Sequence, residues 1–368
     1  LLTPRPGREA THDLRMRPLR LPEVSRDLVL ARHVELSGEL SEGRLVRRVE
    51  GDDLHRVFLP AGAAAGRILA ALIGACLASR YNARSMMRID LHAHTNQSDG
   101  TLTPTELVRE AAPRGLEAVA VVDHDTTSCL EEALEAGRRE GVEVIAGCEI
   151  STRFDARSVH ILAYAFDVED VALQALLERA REARRGRNRL MLARLRELGI
   201  QITEEDVERH VEGCIVARPH FARAMIDGGY VDGFGEAYRR WIGEDGAAYV
   251  VAEHAVPEEA VRTVREAGGV TVLAHPGKVR LAGREPYLRF FSRLRDAGLA
   301  GIEVDHPVHT EAQRRLFAEL ARALDLVASG GSDFHGANKP DYELGRGDGT
   351  LQVSYETWER LHERRRAG

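Results

Sequence analysis

Nine side chains of the types that bind metal ions stand where short hydrophobic runs of the sequence end. They are His92, His94, Asp99, His124, Glu149, His160, His275, Asp333 and His335. Parallel α/β barrels build their active sites at the carboxyl ends of successive strands, because the following loops converge at one mouth of the barrel. The placement therefore predicts that these residues meet in space and that the protein is a metalloenzyme.

The clearest pattern is in residues 88–94, with the sequence RIDLHAH, where apolar and polar residues alternate. Alternation places His92 and His94 on one face of a strand, and two imidazoles at this spacing can bind one metal ion. The same spacing returns at Asp333 and His335, shortly after an apolar run and a pair of glycines. The glycine pair predicts a close approach of two backbone segments, since glycine has no Cβ.

Seven strand-like runs and the helices between them are expected to position these residues. The runs are 88–94, 118–123, 142–148, 159–165, 270–275, 300–305 and 326–331, and the predicted helices are 104–113, 127–139, 257–267, 286–297 and 310–324. Strand and helix alternation is typical of a parallel barrel. Only residues 153–158 separate the third and fourth strands, which is too short for a crossover helix and predicts a hairpin.

The chain is expected to divide into four segments. These are an N-terminal segment 1–85, a first barrel part 86–167, an inserted helical cap 168–256 and a second barrel part 257–368. Residues 1–85 carry no recognisable chemistry, and Met86 stands directly before the first barrel strand. This favours the interpretation that residues 1–85 are a mis-assigned upstream extension of the protein rather than a real accessory domain. The apolar run 68–78 is well short of the ~20 residues of a membrane span, so we expect a buried or amphipathic helix.

Composition limits the classes of function. The chain has 368 residues, of which 43% are hydrophobic and 30% charged, and its net charge is −7. A negative chain has no general attraction for polyanions, so a nucleic-acid substrate would need a local basic patch and metal ions. The four cysteines have no CxxC spacing, which argues against a zinc ribbon or a disulfide framework and predicts a cytoplasmic protein.

The ordered motifs of the chain resemble those of the polymerase-and-histidinol-phosphatase (PHP) superfamily of metal-dependent phosphoesterases. From residue ~86 to the C-terminus the motifs are DLHAH at 90–94 with SDG at 98–100, DHD at 123–125, GCEIS at 147–151, VHI at 159–161, AHPG at 274–277 and SDFH at 332–335. The resemblance implies an α/β fold, a distorted seven-stranded (β/α)7 barrel with an inserted helical cap domain. The cap motif ARPHFAR at 217–223 is similar to the branch that dephosphorylates 3′,5′-nucleoside bisphosphates and trims short RNA from its 5′ end.

The resemblance also implies two or three ions of the Mn²⁺ type. The first would be bound by His92, His94, Glu149 and Asp333, the second by Asp99, His124 and His335, and a third by His160 and His275 with Glu149 as a bridge. Imidazole and carboxylate ligands without thiolates favour Mn²⁺, with Fe²⁺ or Zn²⁺ as alternatives. Such ions would lower the pKa of a bridging water, so that hydroxide attacks the phosphorus.

Five further residues are expected around the ions. Asp90, Asp123 and Asp125 are interpreted as groups that orient the ligands or the substrate. Arg218 and His220 are expected to hold a second phosphate, because a guanidinium binds phosphate through two hydrogen bonds and an imidazole can donate one.

Other polar residues are less specific. The arginines between 181 and 189 are interpreted as a solvated helix face paired with glutamates, with an RNA track as the alternative. His306 and His309 follow the sixth strand, and they either line the mouth or lie in a surface loop.

Three functions remain open on the sequence. The leading one is hydrolysis of a phosphate monoester of 3′,5′-nucleoside bisphosphates, such as pAp to AMP, with activity on the 5′-end nucleotides of short RNA. The second is a phosphatase of another small monoester, such as a sugar or amino-alcohol phosphate. The third is a non-catalytic, metal-bound PHP module. The expected partners are thus a small phosphorylated nucleotide or short RNA, with no membrane and no stable protein partner.

Overall fold

A computed structural model describes residues 87–367 and three short strands before them. These strands, β1 (Ser37–Ser41), β2 (Arg44–Arg48) and β3 (Val57–Leu59), form an antiparallel sheet in that order.

The chain separates into two compact units, Leu1–Ala78 and Ser79–Gly368. Apart from the three strands, our expectations for residues 1–85, including the helix at 68–78, lie outside the described residues.

Seven strands form the sheet of the second unit. They are β4 (Arg88–Ala93), β5 (Leu116–Val121), β6 (Glu143–Phe154), β7 (Arg157–Tyr164), β8 (Val270–Leu273), β9 (Gly301–Asp305) and β10 (Val327–Gly330). Their order in the sheet is β10-β9-β8-β7-β6-β5-β4, so neighbours in sequence are neighbours in space. The pairs are parallel except that β7 runs antiparallel to both β6 and β8, which confirms the predicted hairpin.

The hairpin differs from the sequence prediction in two respects. We expected the third strand to end before Glu149, but β6 continues to Phe154 because its second half pairs with all of β7. We also placed His160 at a strand end, whereas it lies in the first half of β7, opposite Ser151. Because β7 runs against its neighbours, its first half lies beside their carboxyl ends, and His160 still reaches the same mouth.

Ten helices accompany the strands in the described part of the chain. They are α1 (Pro104–Ala111), α2 (Leu130–Glu140), α3 (Val171–Glu197), α4 (Glu204–Glu208), α5 (Arg218–Asp227), α6 (Phe234–Ala237), α7 (Pro257–Glu266), α8 (Arg284–Ala297), α9 (Glu311–Ala323) and α10 (Tyr355–Ala367). The predicted capping box opens α1, since Thr103 Oγ1 accepts a hydrogen bond from the backbone of Glu106. Helix α10 was not predicted. No helix among the described residues is long and apolar enough to cross a membrane.

Helices α3 to α6 lie in the stretch predicted as a cap, whose described residues from 168 to 254 contain no strand. They enclose a hydrophobic cluster of their own, which includes Met191, Leu195, Phe221 and Met225. The cap therefore has a separate small core, as its length allows.

The sheet is curled, so that strands far apart in its order meet across the interior. Tyr164 on β7 donates a hydrogen bond of 2.7 Å to the carbonyl of Leu91 on β4, and both residues belong to one buried cluster with Val272. In a flat sheet the two strands would be about 14 Å apart, three spacings of about 4.8 Å. Residues of α10, such as Trp358 and Leu361, pack in the same cluster.

The two edges of the sheet meet where β10 ends. The backbone N–H of His94 donates to the carbonyl of Phe334 at 2.9 Å, and Ala93 and Phe334 form an isolated parallel bridge. A Cβ on Gly331 would lie 2.3 Å from the Cβ of His92, which confirms the close approach predicted from the glycine pair. The contact is a single bridge rather than a ladder, so the barrel is distorted, as the resemblance implied.

The side chain of Asp90 stabilises the contact between the two edges of the sheet. Its Oδ1 accepts hydrogen bonds from the backbone N–H groups of His92 and Ser332, at 3.1 and 3.0 Å. Its Oδ2 accepts from Ser332 Oγ at 2.5 Å and from the N–H of Gly345 at 2.7 Å. Because all four partners donate, the carboxylate is the group that satisfies them in this buried place.

We expect Asp90→Ala to lower the free energy of unfolding by about 3 kcal/mol or more, since hydrogen bonds to a charged group contribute roughly 1.5–3 kcal/mol each and four buried donors would lose their acceptor. Denaturant unfolding followed by circular dichroism measures the change. The matched control is Asp232→Ala at an exposed position, with an expected change within about 0.5 kcal/mol. Equal stability of the two variants would show that Asp90 does not hold the closure.

Candidate metal centre and its cavity

The structure brings together all nine ligand-type residues that the sequence predicted. Their nitrogen and oxygen atoms form overlapping sets in which all atoms lie within 4.8 Å of one another. The sets are His94, Asp99, His124 and His335; His92, His94 and Asp333; His92, Glu149 and His275; and His124, Glu149 and His160. All nine are buried except His160, which is partly buried.

Glu149 lies at the centre of the cluster and presents one oxygen to each side. Its Oε2 is 3.1 Å from His94 Nε2 and 3.1 Å from His124 Nδ1. Its Oε1 is 2.8 Å from His160 Nδ1 and 3.0 Å from His275 Nε2. A carboxylate in this position can bridge two ions.

A second group of donors lies between Glu149 and Asp333. The Nε2 atoms of His92 and His94 are 3.1 Å apart, and Asp333 Oδ1 is 3.6 Å from the first and 3.7 Å from the second. His92 Nε2 is also 3.4 Å from Glu149 Oε2. These four residues are the set that the resemblance assigned to a first ion.

Asp99 gathers the third group. Its Oδ1 is 3.2 Å from His335 Nε2 and 3.8 Å from His94 Nδ1, and its Oδ2 is 3.8 Å from His124 Nε2. The resemblance gave Asp99, His124 and His335 to a second ion, and the structure adds His94 to this group. His94 therefore stands between the two groups, with one ring nitrogen facing each.

The tautomers of two histidines follow from their outer hydrogen bonds. His92 Nδ1 donates to Glu303 Oε1 at 2.9 Å, and His335 Nδ1 donates to the carbonyl of Asp333 at 2.8 Å. The lone pair of a neutral ring is then on Nε2, which faces the cluster in both residues. This arrangement of an outer acceptor behind an imidazole is typical of metal ligands.

Glu303 was not predicted from the sequence. It is fully buried and also accepts a hydrogen bond of 2.6 Å from the backbone of His275. The feature of the sequence that could have identified Glu303 was a carboxylate inside the apolar run 300–305, on the strand face that points inward.

The residues fit a group of divalent ions. Donor atoms around an ion with bonds of roughly 2.1 Å lie about 3 to 3.5 Å apart, which is the spacing found between Glu149 and the rings near it. The buried Nδ1 atoms of His94 and His124 make no hydrogen bond among residues 87–367, although that of His124 lies 3.1 Å from Glu149 Oε2, and a metal ion would satisfy such atoms. Ligands limited to imidazole and carboxylate suit Mn²⁺, Fe²⁺ or Zn²⁺.

Electrostatics keep the central carboxylates ionised. Burial alone would raise the pKa of Glu149, but the imidazoles of His124, His160 and His92 outweigh it and hold the pKa well below the usual value. In the same way burial opposes ionisation of Asp99, and His335 and His124 lower its pKa. The cluster is therefore ready to receive cations.

Asp123 supports the loop that carries Asp99. It accepts hydrogen bonds from the backbone N–H of Thr95 at 2.9 Å, from Thr95 Oγ1 at 2.6 Å and from Ser98 Oγ at 2.5 Å. A Cβ on Gly100 would lie 2.4 Å from the carbonyl oxygen of His94, so this loop folds tightly over the strand end.

Asp125 connects the barrel to the cap. It accepts hydrogen bonds from the N–H of Ser151 at 2.7 Å and from Arg184 Nη2 on α3 at 2.5 Å. Arg184 is buried, and its charge overcomes burial and lowers the pKa of Asp125. Arg187 is buried as well, so the interpretation of this arginine run as a solvated face is wrong for these two residues, although Arg185 is exposed and pairs with Glu178.

The cluster opens into a cavity of about 1120 Å³ between barrel residues and the cap. Nine cationic side chains line it: Arg153, Arg157, Arg184, Arg187, Arg218, Arg239, Lys278, Arg280 and Lys339. Six carboxylate residues line it as well, namely Asp99, Glu149, Glu244, Asp245, Asp333 and Asp341, so cations outnumber them by three. Although the whole chain is negative, this wall therefore has an excess of positive charge, as we expected for an anionic substrate.

Arg187 and Arg218 stand together on the cap side. The side chain of Arg187 is only 8% exposed, and its Nε has no hydrogen-bond partner within the described part of the chain. Burial and the charges of Arg184 and Arg218 lower the pKa of Arg187. The guanidinium of Arg218 lies 5.9 Å from the ring of Tyr238. Arg187 is buried and Arg218 partly buried, and neither forms an ion pair with a carboxylate among the described residues, so the two guanidinium groups mark a place for an anion.

His220 is placed differently from Arg218. It does not line the cavity, and its Nδ1 accepts a hydrogen bond of 3.0 Å from the N–H of Ala217, which caps helix α5. Burial lowers the pKa of His220 to about 4, so the ring is neutral at neutral pH. Its position suits holding the turn that presents Arg218.

His306 and His309 are buried, which excludes a surface loop for either. His306 Nδ1 accepts a hydrogen bond from the N–H of Val308 at 3.1 Å, and its Nε2 is 3.5 Å from Asp333 Oδ2. Both imidazole rings therefore support the loops at the mouth of the barrel from the protein interior.

Comparison with known proteins agrees with this geometry. The family model of the PHP domain matches residues 90–230. The 5′-3′ exoribonuclease of Haemophilus influenzae is 35% identical over 67% of this chain and 90% of that protein, and the 3′,5′-nucleoside bisphosphate phosphatase of Chromobacterium violaceum is 35% identical over 76% and 98%. The phosphoribosyl 1,2-cyclic phosphate 1,2-diphosphodiesterase of Eggerthella lenta is 37% identical over 67% and 94%.

A crystal structure from Bifidobacterium adolescentis, provisionally assigned as a metal-dependent phosphoesterase, superimposes with a TM-score of 0.69. It is 32% identical and is covered over 96% of its length, against 76% of this chain.

We expect Glu149→Gln to reduce the divalent metal bound per chain more than any single histidine substitution in the cluster, because Glu149 contacts donors on both sides. His160→Ala should remove at most the ion nearest to it. The metal content of each variant after loading with Mn²⁺ and desalting, measured by mass spectrometry, tests this ranking of the variants. Glu253→Gln, at an exposed site, is the matched control. Metal content of Glu149→Gln equal to that control would contradict a central role.

Proposed function

The chain belongs to the PHP-domain family of phosphoester hydrolases, and we propose that it removes a phosphate from 3′,5′-nucleoside bisphosphates and the 5′-end nucleotides from short RNA. The observation that carries the proposal is the position of the Glu149 cluster, which opens into a cavity with nine cationic side chains. A phosphorylated nucleotide is the ligand that matches both features, and the four cysteines without paired spacing fit a cytoplasmic enzyme.

The proposed ligands are the nine residues of the cluster. His92, His94, Glu149 and Asp333 would hold one ion, Asp99, His124 and His335 a second, and His160 and His275 a third beside Glu149. Mn²⁺ is our first choice, with Fe²⁺ or Zn²⁺ as alternatives. When bound, such ions activate water for attack on phosphorus and neutralise charge on the phosphate.

The other residues of the site are proposed to hold this arrangement in place. Glu303 fixes the ring of His92 through Nδ1, and Asp123 fixes the loop of Asp99. Asp90 and Asp125 act at a greater distance, the first on the strand that carries His92 and the second on the contact with α3. The direct contacts to the reacting phosphate then come from groups on the cavity wall.

Arg218 and Arg187 are proposed to hold the phosphate that is not cleaved. They line the same cavity as the Glu149 cluster but belong to the cap, so a substrate with two phosphates can touch both sides. His220 is proposed to act through Arg218 by capping its helix. A cavity of about 1120 Å³ exceeds the roughly 300–1,000 Å³ of small-molecule sites, which supports room for more than one nucleotide.

A second candidate is hydrolysis of a sugar phosphate. It is favoured by the similarity to the Eggerthella lenta enzyme, which is as close as the other relatives. A sugar with a single phosphate would have no need for the Arg187 and Arg218 pair, whereas phosphoribosyl 1,2-cyclic phosphate carries two phosphates and could use it. Comparing a nucleoside 3′,5′-bisphosphate, a nucleoside monophosphate, a 5′-phosphorylated oligoribonucleotide and phosphoribosyl 1,2-cyclic phosphate on one preparation separates the candidates by kcat/KM.

Chelation should abolish hydrolysis, and Mn²⁺ should restore it better than Mg²⁺, because imidazole-rich sites bind Mg²⁺ poorly. The measurement is the rate on a bisphosphate after treatment with EDTA and stepwise return of each ion, with circular dichroism to confirm the fold. Undiminished turnover by metal-free protein would refute the metal-dependent reaction.

Arg218→Ala should lower kcat/KM for a 3′,5′-bisphosphate by roughly 10- to 150-fold, the equivalent of a charge-assisted contact of about 1.5–3 kcal/mol. An aryl monophosphate should be nearly unaffected, since it lacks the second phosphate. Arg262→Ala, on the exposed side of α7, is the control.

The ratio of the two substrates is the decisive quantity. Equal losses of kcat/KM on the bisphosphate and the aryl monophosphate would assign Arg218 to structure or to the reacting phosphate. No loss on either substrate would favour a sugar with a single phosphate as the natural substrate.

A further inference from the structure

The chain contains two lysines, Lys278 and Lys339, among 51 lysine and arginine residues. Every other side chain of this kind is an arginine, including those on the exposed helices. Both lysines lie at the candidate metal centre, and their ammonium groups contact one and the same atom. Lys278 Nζ is 3.0 Å and Lys339 Nζ 2.7 Å from Asp333 Oδ2.

The two lysines come from separate loops. Lys278 is in the short 3-10 turn Pro276–Val279 after β8, and Lys339 follows the turn Gly336–Asn338 after β10. Residues 278 and 339 both line the cavity. Two loops that are 61 positions apart in sequence thus bring the two ammonium groups of the chain to one place.

The turn that carries Lys278 is fixed by His309. Its Nδ1 donates to the carbonyl of Val304 at 3.0 Å, so its Nε2 accepts the N–H of Gly277 at 3.1 Å. A Cβ on Gly277 would lie 2.6 Å from the His309 ring, so the turn is pressed against it. Burial lowers the pKa of His309 to about 4, which keeps the ring neutral and able to accept. The backbone of the turn is therefore fixed, and the side chain of Lys278, which is 38% exposed, is held at its end by Asp333.

The charges around Asp333 do not balance within this group. One carboxylate faces two ammonium groups through Oδ2, while its Oδ1 faces His92 and His94. An ammonium is a compact charge with three donors, so two of them can converge on one oxygen, whereas two planar guanidinium groups would collide. The remaining donors of both lysines are available to a second acceptor with several oxygens.

We propose that Lys278 and Lys339 form a paired anion site that binds the oxygens of the phosphate held at the metal centre. The pair contacts the reacting phosphate of the substrate and, after hydrolysis, inorganic phosphate. The inference rests on the proposed metal-dependent function. It also accounts for the two positions at which this arginine-rich chain carries lysine.

Binding of inorganic phosphate to the Zn²⁺-loaded protein, measured by calorimetry, tests the pair. Lys278→Met and Lys339→Met should each weaken phosphate binding by about tenfold or more, with metal content unchanged, because each removes a charge-assisted contact. Lys→Arg at either position should restore the charge without restoring the affinity. Arg262→Met, which removes an exposed cation on α7 away from the cavity wall, is the control and should bind phosphate normally.

Nuclear magnetic resonance of the unsubstituted protein gives a second readout. Isotope-labelled lysine produces two side-chain signals in this chain, which the Lys→Arg variants assign. Both signals should shift as phosphate is added to the Zn²⁺-loaded protein, and this measurement does not depend on a variant that folds.

Three results would overturn the pair. The first is an unchanged phosphate affinity in both Lys→Met variants. The second is a loss of bound metal in these variants that accounts for their weaker phosphate binding. The third is phosphate binding that shifts the NMR signal of neither lysine. The second result would mean that the lysines serve Asp333 alone. Normal phosphate binding by a protein that hydrolyses none of the nucleotide substrates would refute the proposed function and leave the lysine pair standing.

Discussion

The burial of one carboxylate, Glu149, is the constraint on which the rest of the site depends. A buried carboxylate without partners would be neutral, because transfer of its charge from water is costly. Here imidazoles on both of its oxygens keep it ionised. Those imidazoles come from four different segments, so the barrel must bring the ends of its strands within about one side-chain length. Two features of the sheet make this possible. The antiparallel direction of β7 brings His160 to the mouth, and the close approach at Gly331 places His92 beside the end of β10.

Backbone conformation at the mouth is unusual in the same residues. Asp125, His275 and Asp333 have φ angles of 54°, 29° and 53°, in the left-handed region that side chains other than glycine seldom adopt. Each lies within a few residues after the end of a strand: Asp125 after β5, His275 after β8 and Asp333 after β10. Such strain persists when surrounding contacts fix the chain, and here Asp125 is held by Arg184 and Asp333 by two lysines. Three of the seven non-glycine residues with positive φ in the described part of the chain are thus residues of the site.

Three kinds of nitrogen-containing side chain surround the place where a negatively charged ligand would bind. The barrel supplies imidazoles that can bind ions, the cap supplies guanidinium groups such as those of Arg187 and Arg218, and two barrel loops supply the ammonium groups. The net charge of the chain, −7, gives no sign of this concentration. Since charges on the far surface are screened by salt over about 10 Å, the local wall governs which ligands enter the cavity.

The sequence by itself determined the ligand types, the distorted α/β barrel and the hairpin, because motifs at strand ends and the six-residue link 153–158 are local features. It missed Glu303, which meets His92 across 211 positions of sequence, and it misjudged Arg184 and Arg187, whose helix could not be seen to face inward. It also gave no reason to connect Lys278 with Lys339. Only the tertiary structure decided these points, since a contact between distant segments depends on the direction of β7, the closure of the sheet and the docking of the cap, none of which is encoded within any one segment.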